Sequence, residues 1–310
     1  MTRPIAILAI LTASALAGCT RPAPAANGSA PAPRASSALS EDAEAALSDG
    51  DAARAVALAD EALHSLDVHA RAPRRDRALE VRLLVTAAAA ENDLGRSDLA
   101  LPRAERALRL DPGDSGAAWE RALALWELCR FGEAEGAFAG ALALAPDDAW
   151  ALHYLGLAAE RRGDARRARG LLERASRISP GDFPPEVAID AAGFAAEVRR
   201  MVATLPEPDR RALGTVPLEL ADLPESDDLT AVEPPLSPGL LGLFRGPPAG
   251  EPCLPGDGPV CRSIVLYRRN LARFARDRRE LSEQVRVTLL HELGHLRGED
   301  DDALRKRGLE

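Results

Sequence analysis

Small and turn-forming residues recur along the first half of the chain at one fixed spacing. Three columns share a period of 34 residues: Ala100, Ala134 and Ala168; Ala107, Ala141 and Ala175; Pro112, Pro146 and Pro180. A weaker copy precedes them, in which Gly50, Ala55 and Ala62 match the second half of the unit. A period of this length predicts helix pairs that stack on one another and bury a continuous core between them.

A second pattern lies close to the C-terminus, where a helix is predicted over residues 283–297. Its apolar residues fall on one stripe at about 100° per residue: Val285, Leu289, Leu293 and Leu296. Ser282 is the predicted N-cap, and Gly298 is the predicted end because glycine adopts the left-handed conformation without strain. The stripe predicts one buried face and leaves the opposite face for a cleft.

Between these two patterns the composition changes after Pro180, and shorter elements are predicted. They are a helix over residues 186–203, a helix over 206–213, a strand over 215–221, a loop over 225–228, a turn or short strand near 240–244, a strand over 263–267 and a helix over 269–277. The C-terminal part is therefore predicted to be α+β with few strands.

Composition and charge agree with this picture and exclude some partners. The chain has 310 residues, enough for about two domains, and 46% of them are apolar but only 4% aromatic. Such alanine-rich composition favours closely packed helices. The predicted fold class is mainly α, with an N-terminal α-solenoid followed by a small α+β domain. A net charge of −9 argues against a nucleic-acid partner.

The N-terminus carries the pattern of an export signal. Arg3 precedes an apolar run over residues 5–17, which is too short to span a bilayer. The run ends in Leu16-Ala-Gly-Cys19, which resembles the bacterial lipoprotein signal and implies lipidation of Cys19. An ordinary cleaved signal and an uncleaved anchor are the alternatives. The prediction is a protein exported and lipid-anchored in the cell envelope, on the outer membrane facing the periplasm in a diderm bacterium.

Two histidines on the C-terminal helix have metal-ligand spacing. His291 and His295 are four residues apart, so they stand on the same helical face and can hold one Zn²⁺. Glu292 lies beside them, where a carboxylate can act as the general base of metal-assisted hydrolysis. Asp301 is the predicted third ligand, with Asp300 and Asp302 as alternatives.

These residues resemble the small bacterial zincin-like metallopeptidases, whose motif reads HExxHxxGxxD. The matching residues are His291, Glu292, His295, Gly298 and Asp301. Residues 216–224, 240–246 and 264–268 are similar to further segments of that family, in the same order. The sequence departs from the family at Phe244, where a tyrosine is usual, and in a proline- and cysteine-bearing insert before Ile264.

The resemblance implies a zinc metallopeptidase that hydrolyses peptide or protein substrates. Tyr267 and Arg268 are candidates for stabilising the oxyanion, by their place in the family fold. The strand over residues 263–267 is expected to align an extended peptide by backbone pairing. The alternative function is a non-catalytic envelope scaffold in which the zinc site is structural.

The periodic region resembles tetratricopeptide repeats. The last unit has Leu155-Gly156, Gly163 and Leu172 at the matching positions, whereas Cys129 and Arg130 replace the usual turn glycine of the unit before it. Such repeats form a groove that commonly binds a partner protein, but the array could equally serve only as a spacer. The predicted segments are a signal peptide over residues 1–19, a disordered tether over 20–38, repeats over 39–180 and a metallopeptidase domain over 181–310.

Cys253 and Cys261 flank a loop rich in proline and glycine. Outside the cytoplasm this spacing can close a small disulfide loop. Two free thiols in a surface loop are the alternative.

Overall fold

The computed structural model describes residues 35–68, 76–253 and 260–309. Cys19, the predicted signal peptide and most of the predicted tether lie outside these residues, so they stay predictions. The described residues pack as two compact units, which divide between Leu125 and Trp126. The predicted domain boundary at residue 180 also stays a prediction, and the last repeat helices pack in the same unit as the C-terminal region.

The N-terminal unit is built from repeat helices. They are α1 (Ser36–Ser48), α2 (Ala52–Val68), α3 (Arg77–Asp93), α4 (Ser97–Leu110) and most of α5 (Ser115–Glu127). Helix α1 begins at Ser36, so the predicted tether over residues 20–38 is too long at its end. The helix extends back because Leu39 and Ala43, one turn apart, are both buried.

Helices that follow one another in the chain pack in pairs, α1 with α2 and α3 with α4. The C-terminal unit continues the pattern with α6 (Phe131–Leu144), α7 (Ala149–Arg161) and α8 (Ala165–Ile178), of which α7 and α8 form a pair. Of the six alanines in the periodic columns, only Ala141 is partly exposed, and the other five are at most 3% exposed. The prediction of helical repeats is confirmed.

Cys129 takes the place of a turn glycine in the repeats. Gly95 and Gly163 have φ angles of +68° and +80°, and Cys129, at the same position of the intervening unit, has a φ of +58°. This left-handed conformation is uncommon for a residue with a side chain. The turn between α5 and α6 therefore keeps the geometry of its neighbours although the glycine is missing.

The rest of the C-terminal unit is α+β, as predicted. Its elements are α9 (Ala191–Thr204), α10 (Glu207–Leu213), β1 (Leu218–Ala221), α11 (Ser226–Leu229), β2 (Gly242–Arg245), β3 (Ser263–Tyr267), α12 (Arg268–Phe274), α13 (Arg278–Leu296) and α14 (Asp301–Lys306). Their core is formed where α9 and α13 pack together and α13 packs on the sheet. The stripe predicted on the metal helix lies in this core, since Val285, Leu289, Leu293 and Leu296 are at most 2% exposed.

Within the described parts of the chain, the sheet has three strands in the order β1-β3-β2. Strand β3 pairs in parallel with β1 and antiparallel with β2, and all its residues are buried. The expectation that residues 263–267 align a peptide by backbone pairing is therefore wrong, because both sides of β3 are already hydrogen-bonded. Among the residues that the structure describes, the strands with a free side are β1 and β2.

Several predicted elements differ from the structure, among them the helix predicted over residues 269–277, which spans Arg268–Phe274. Helix α9 starts at Ala191 rather than residue 186, because Asp190 caps it and Val187 N–H donates to the Ala272 carbonyl at 3.0 Å. Most of the predicted loop over residues 225–228 is instead the short helix α11, whose last residue, Leu229, is fully buried. Strand β1 begins three residues later than predicted. None of the helices in the described residues has the length and apolar character needed to cross a bilayer.

Candidate metal centre

Helix α13 carries the metal motif and is longer than predicted. It begins at Arg278, and its N-cap is Asp277, whose carboxylate accepts hydrogen bonds from the amides of Arg279 and Glu280, both at 2.8 Å. The predicted N-cap, Ser282, lies inside the helix and donates to Glu197 at 2.6 Å. The predicted end of the helix is confirmed, because Gly298 follows the helix with a φ of +85°.

His291, His295 and Asp301 come together at the end of this helix. The two Nε2 atoms are 3.0 Å apart, and Asp301 Oδ1 lies 3.6 Å from His291 Nε2 and 3.3 Å from His295 Nε2. Tetrahedral Zn²⁺ with bonds of about 2.0–2.2 Å separates its ligand atoms by about 3.3 Å. The three side chains thus fit one zinc ion. Each stays between 22% and 27% exposed, so solvent and a substrate can reach the site.

Backbone carbonyls orient both imidazole rings. His291 Nδ1 lies 2.7 Å from the Leu309 carbonyl, and His295 Nδ1 lies 3.1 Å from the Glu299 carbonyl. Because a carbonyl only accepts, each Nδ1 carries the proton and each Nε2 keeps its lone pair for a metal. Burial lowers the pKa of His295, which also favours the neutral imidazole that a metal requires.

The structure distinguishes among the three candidate aspartates. Asp300 is the N-cap of α14 and accepts a hydrogen bond from Ala303 N at 2.8 Å. Asp302 points to Arg305 at 2.7 Å, and its side chain is 70% exposed. Only Asp301 forms a group with the two histidines that could hold a metal ion within the described part of the chain.

Gly294, between the two histidines, was not identified from the sequence, yet it lets α14 approach. A Cβ at this position would lie 2.2 Å from Leu304 Cδ2, and the Leu304 side chain is fully buried. Helix α14 can therefore pack directly on the backbone of α13. This contact holds Asp301, the first residue of α14, beside His295.

We expect Gly294→Ala to weaken both the fold and the metal site. Alanine should gain about 1 kcal/mol in helix propensity, but the clash with buried Leu304 should cost about 1–3 kcal/mol and displace Asp301. Urea unfolding and zinc competition with a chelator measure the two effects. Gly140→Ala is the matched control, since Gly140 is helical and a Cβ there meets nothing within 4 Å. Equal stability and zinc affinity in the two variants would contradict this role of Gly294.

Glu292 lies against strand β2. It is 6% exposed and accepts a hydrogen bond from the Phe244 amide, and burial raises its pKa to about 8. Gly242 makes room for its carboxylate, because a Cβ at Gly242 would lie 3.0 Å from Glu292 Oε1 and 2.5 Å from Thr288 Cγ2. The sequence contained Gly242 in a family-like segment but gave no sign of this contact.

Tyr267 and Arg268 contact residues other than the three metal-binding side chains. Tyr267 is fully buried at the end of β3, and its hydroxyl lies 3.4 Å from Asp228 Oδ2. Burial and the charge of Asp228 raise the pKa of this hydroxyl, so it stays protonated. Arg268 binds Asp222 at 2.8 Å and the Ile189 carbonyl at 2.7 Å. Their predicted oxyanion role stays a prediction.

Cys253 and Cys261 form a disulfide, with their Cα atoms 5.9 Å apart. The adjoining segment packs at the end of the metal helix, where Ala249 N–H donates to the Leu296 carbonyl at 2.7 Å. Arg262 holds the same segment through the carbonyls of Pro247 and Pro248, at 2.6 and 3.0 Å. The described residues on either side of this disulfide are thus attached next to the site.

Residues 213–309 match the family of zincin-like metallopeptidases. This segment contains the sheet, helices α11–α14 and all three metal-binding side chains. The recognition of a zincin-like region from the sequence is therefore confirmed. No curated protein matches the chain.

Solved structures are similar to about half of the chain. MamA (residues 41 to the end) from Desulfovibrio magneticus RS-1 is 21% identical, with 47% of this chain and 76% of that chain covered and a TM-score of 0.38. A C-terminal TPR-containing domain from Plasmodium falciparum is 16% identical, with 43% and 91% covered and a TM-score of 0.39. YrrB, a TPR protein with an unusual peptide-binding site, is 21% identical, with 46% and 86% covered and a TM-score of 0.30.

Proposed function

We propose that this protein is a membrane-tethered zinc metallopeptidase carried on a protein-binding helical-repeat scaffold. The observation that supports it most directly is the group formed by His291, His295 and Asp301, with Glu292 one residue from the first ligand. The match of residues 213–309 to zincin-like metallopeptidases supports the same reaction class.

Each side chain of the site has a distinct task in this proposal. His291, His295 and Asp301 would hold Zn²⁺, which when bound supplies Lewis-acid chemistry that activates water and polarises a carbonyl. Glu292 accepts a proton from the attacking water on its carboxylate and delivers it to the leaving amine. Its burial beside Phe244 N–H fixes the carboxylate, so little reorganisation is needed when the proton moves.

The strand that aligns the peptide in this proposal is β2, in place of β3. The Leu241 carbonyl accepts a hydrogen bond from Tyr267 N at 2.9 Å, so it points toward β3. In an antiparallel pair the direction of the backbone groups alternates, and those of Gly242 and Phe244 therefore point away from β3. The Phe244 amide is already bound to Glu292, so an extended substrate would pair with the amide and carbonyl of Gly242 and the carbonyl of Phe244, next to Glu292.

Location and partner rest on the sequence in this proposal. The Leu16-Ala-Gly-Cys19 pattern supports a lipid anchor on Cys19 and a place in the bacterial cell envelope. The repeats would recruit a protein partner, in keeping with the common use of such scaffolds.

Metal removal tests the proposed function. The chain without residues 1–19 should purify with zinc and hydrolyse a panel of denatured proteins, because unfolded chains offer extended segments to β2. Dialysis against a chelator should abolish hydrolysis, and added zinc should restore it. Metal content is measured by mass spectrometry and hydrolysis by the release of new amino termini.

An inert chain whose melting temperature nevertheless rises with zinc would favour the alternative, a scaffold with a structural metal. A chain that binds no zinc would contradict both functions.

A further inference from the structure

The last repeat is joined to the α+β region by a buried carboxylate at the end of α7. The Glu160 side chain is 6% exposed, and its two oxygens bind two arginines of α12, Arg269 at 2.5 Å and also Arg273. A carboxylate with this burial is stable only when it is paired, and here one acid serves two cations. Both arginines lie just after the central strand β3.

The same contacts extend to the segment that links β1 to β2, residues 222–241, which we call the β1–β2 connection. Arg269 also binds Asp222, the first residue of the connection, through Nε at 3.3 Å and through its backbone amide at 3.1 Å. Arg161, next to Glu160, donates to the Pro224 carbonyl at 3.0 Å. The beginning of the connection is thus held by the end of α7.

The far end of the connection is held by the turn after α5. The Cys129 thiol lies 3.7 Å from the Leu236 carbonyl, and the Ser237 hydroxyl donates to the carboxylate of Glu127. From the other side, Asn270 Nδ2 donates to the Leu240 carbonyl at 2.7 Å. The residues Trp126–Glu310 form one compact unit, so all these contacts lie within it.

The β1–β2 connection leads directly to the candidate active site. Asp228, in its middle, binds Arg245 of β2 through two hydrogen bonds of 2.8 and 2.7 Å. Strand β2 in turn presents Gly242 and Phe244 to the Glu292 carboxylate. A continuous series of contacts therefore runs from the last repeat through the connection to the general base.

We propose that the last repeat is part of the peptidase site, and that Glu160 is a positioning residue that holds the β1–β2 connection and thereby strand β2 beside Glu292. This inference rests on the proposed function and adds to it a task for the repeats beyond partner binding. The metal-binding side chains lie on α13 and after it, so they do not depend on Glu160. Loss of Glu160 therefore disturbs the substrate strand and leaves zinc binding intact.

Glu160→Gln in the full chain tests this inference, with Glu173→Gln as the matched control because Glu173 is an exposed glutamate of the same repeat. In Glu160→Gln we expect amide exchange across residues 222–245 to rise about tenfold, since two arginines lose their charged partner. We expect kcat to fall about tenfold or more because β2 is displaced from Glu292. Zinc affinity should change less than about twofold, because the ligands are untouched.

A milder variant, Arg161→Gln, removes only one bond to the connection and should shift exchange in the same direction if Glu160→Gln does not fold. Unchanged exchange in both variants would overturn the inference, as would a zinc loss that parallels global unfolding. Faster amide exchange in a variant that binds zinc, together with no hydrolysis by the wild type, would contradict the proposed function. It would still support the role of Glu160 in holding strand β2.

Discussion

Glu292→Gln should abolish peptide hydrolysis and leave zinc in place. Glutamine keeps the size of the side chain and can still occupy the space beside Gly242, but its amide cannot accept a proton from water. General-base catalysis typically contributes about 10²–10⁴-fold to a rate, so kcat should fall by about that factor. The ligand atoms of His291, His295 and Asp301 are unchanged, and metal content should remain that of the wild type.

The matched control is Glu283→Gln on the same helix. Glu283 is 53% exposed and pairs with Arg286, one turn away. It has no part in the proposed catalysis. This variant should hydrolyse substrate at the wild-type rate. If Glu292→Gln kept its activity, Glu292 would not be the general base. Both variants are compared by zinc content, kcat and KM on the same substrate.

Asp301→Asn should release the zinc. An amide oxygen is a weaker and uncharged ligand, and even the outer partners of zinc ligands contribute about 10–100-fold to metal affinity. Loss of a direct ligand should therefore raise the zinc Kd by about 100-fold or more. At limiting zinc the variant should be inactive, and excess zinc should restore part of the rate.

Asp302→Asn serves as the control, because Asp302 is the next residue and faces Arg305 instead of the histidines. It should bind zinc as the wild type does. Chelator competition gives the two dissociation constants directly. Equal zinc affinity in the two variants would show that Asp301 is not a ligand.

The elements that the sequence determined are those with strong local patterns. The period of 34 residues is set by close helix packing, which needs small residues at fixed places, and the alanine columns are accordingly buried. The two histidines could also be placed together, since a spacing of four residues puts them on one helical face whatever the rest of the chain does.

Several features of the candidate site depend on residues that are distant in sequence. Gly242 faces Glu292, and the carbonyl of Leu309 orients His291, 18 residues earlier. Sequence periodicity carries no information on such contacts. The central position of β3 was equally hidden, because a short apolar strand reads the same at an edge and in the middle of a sheet.

Local side-chain patterns were enough to predict the helix pairs, the metal helix and its buried stripe, because each depends on a repeat of side chains within one element. Long-range packing is needed to explain why Asp301, among three consecutive aspartates, faces the histidines, because the contact of Leu304 with Gly294 fixes the rotation of the helix that Asp301 begins. The same holds for the strand next to Glu292, whose place is set by pairing between strands that are far apart in the chain.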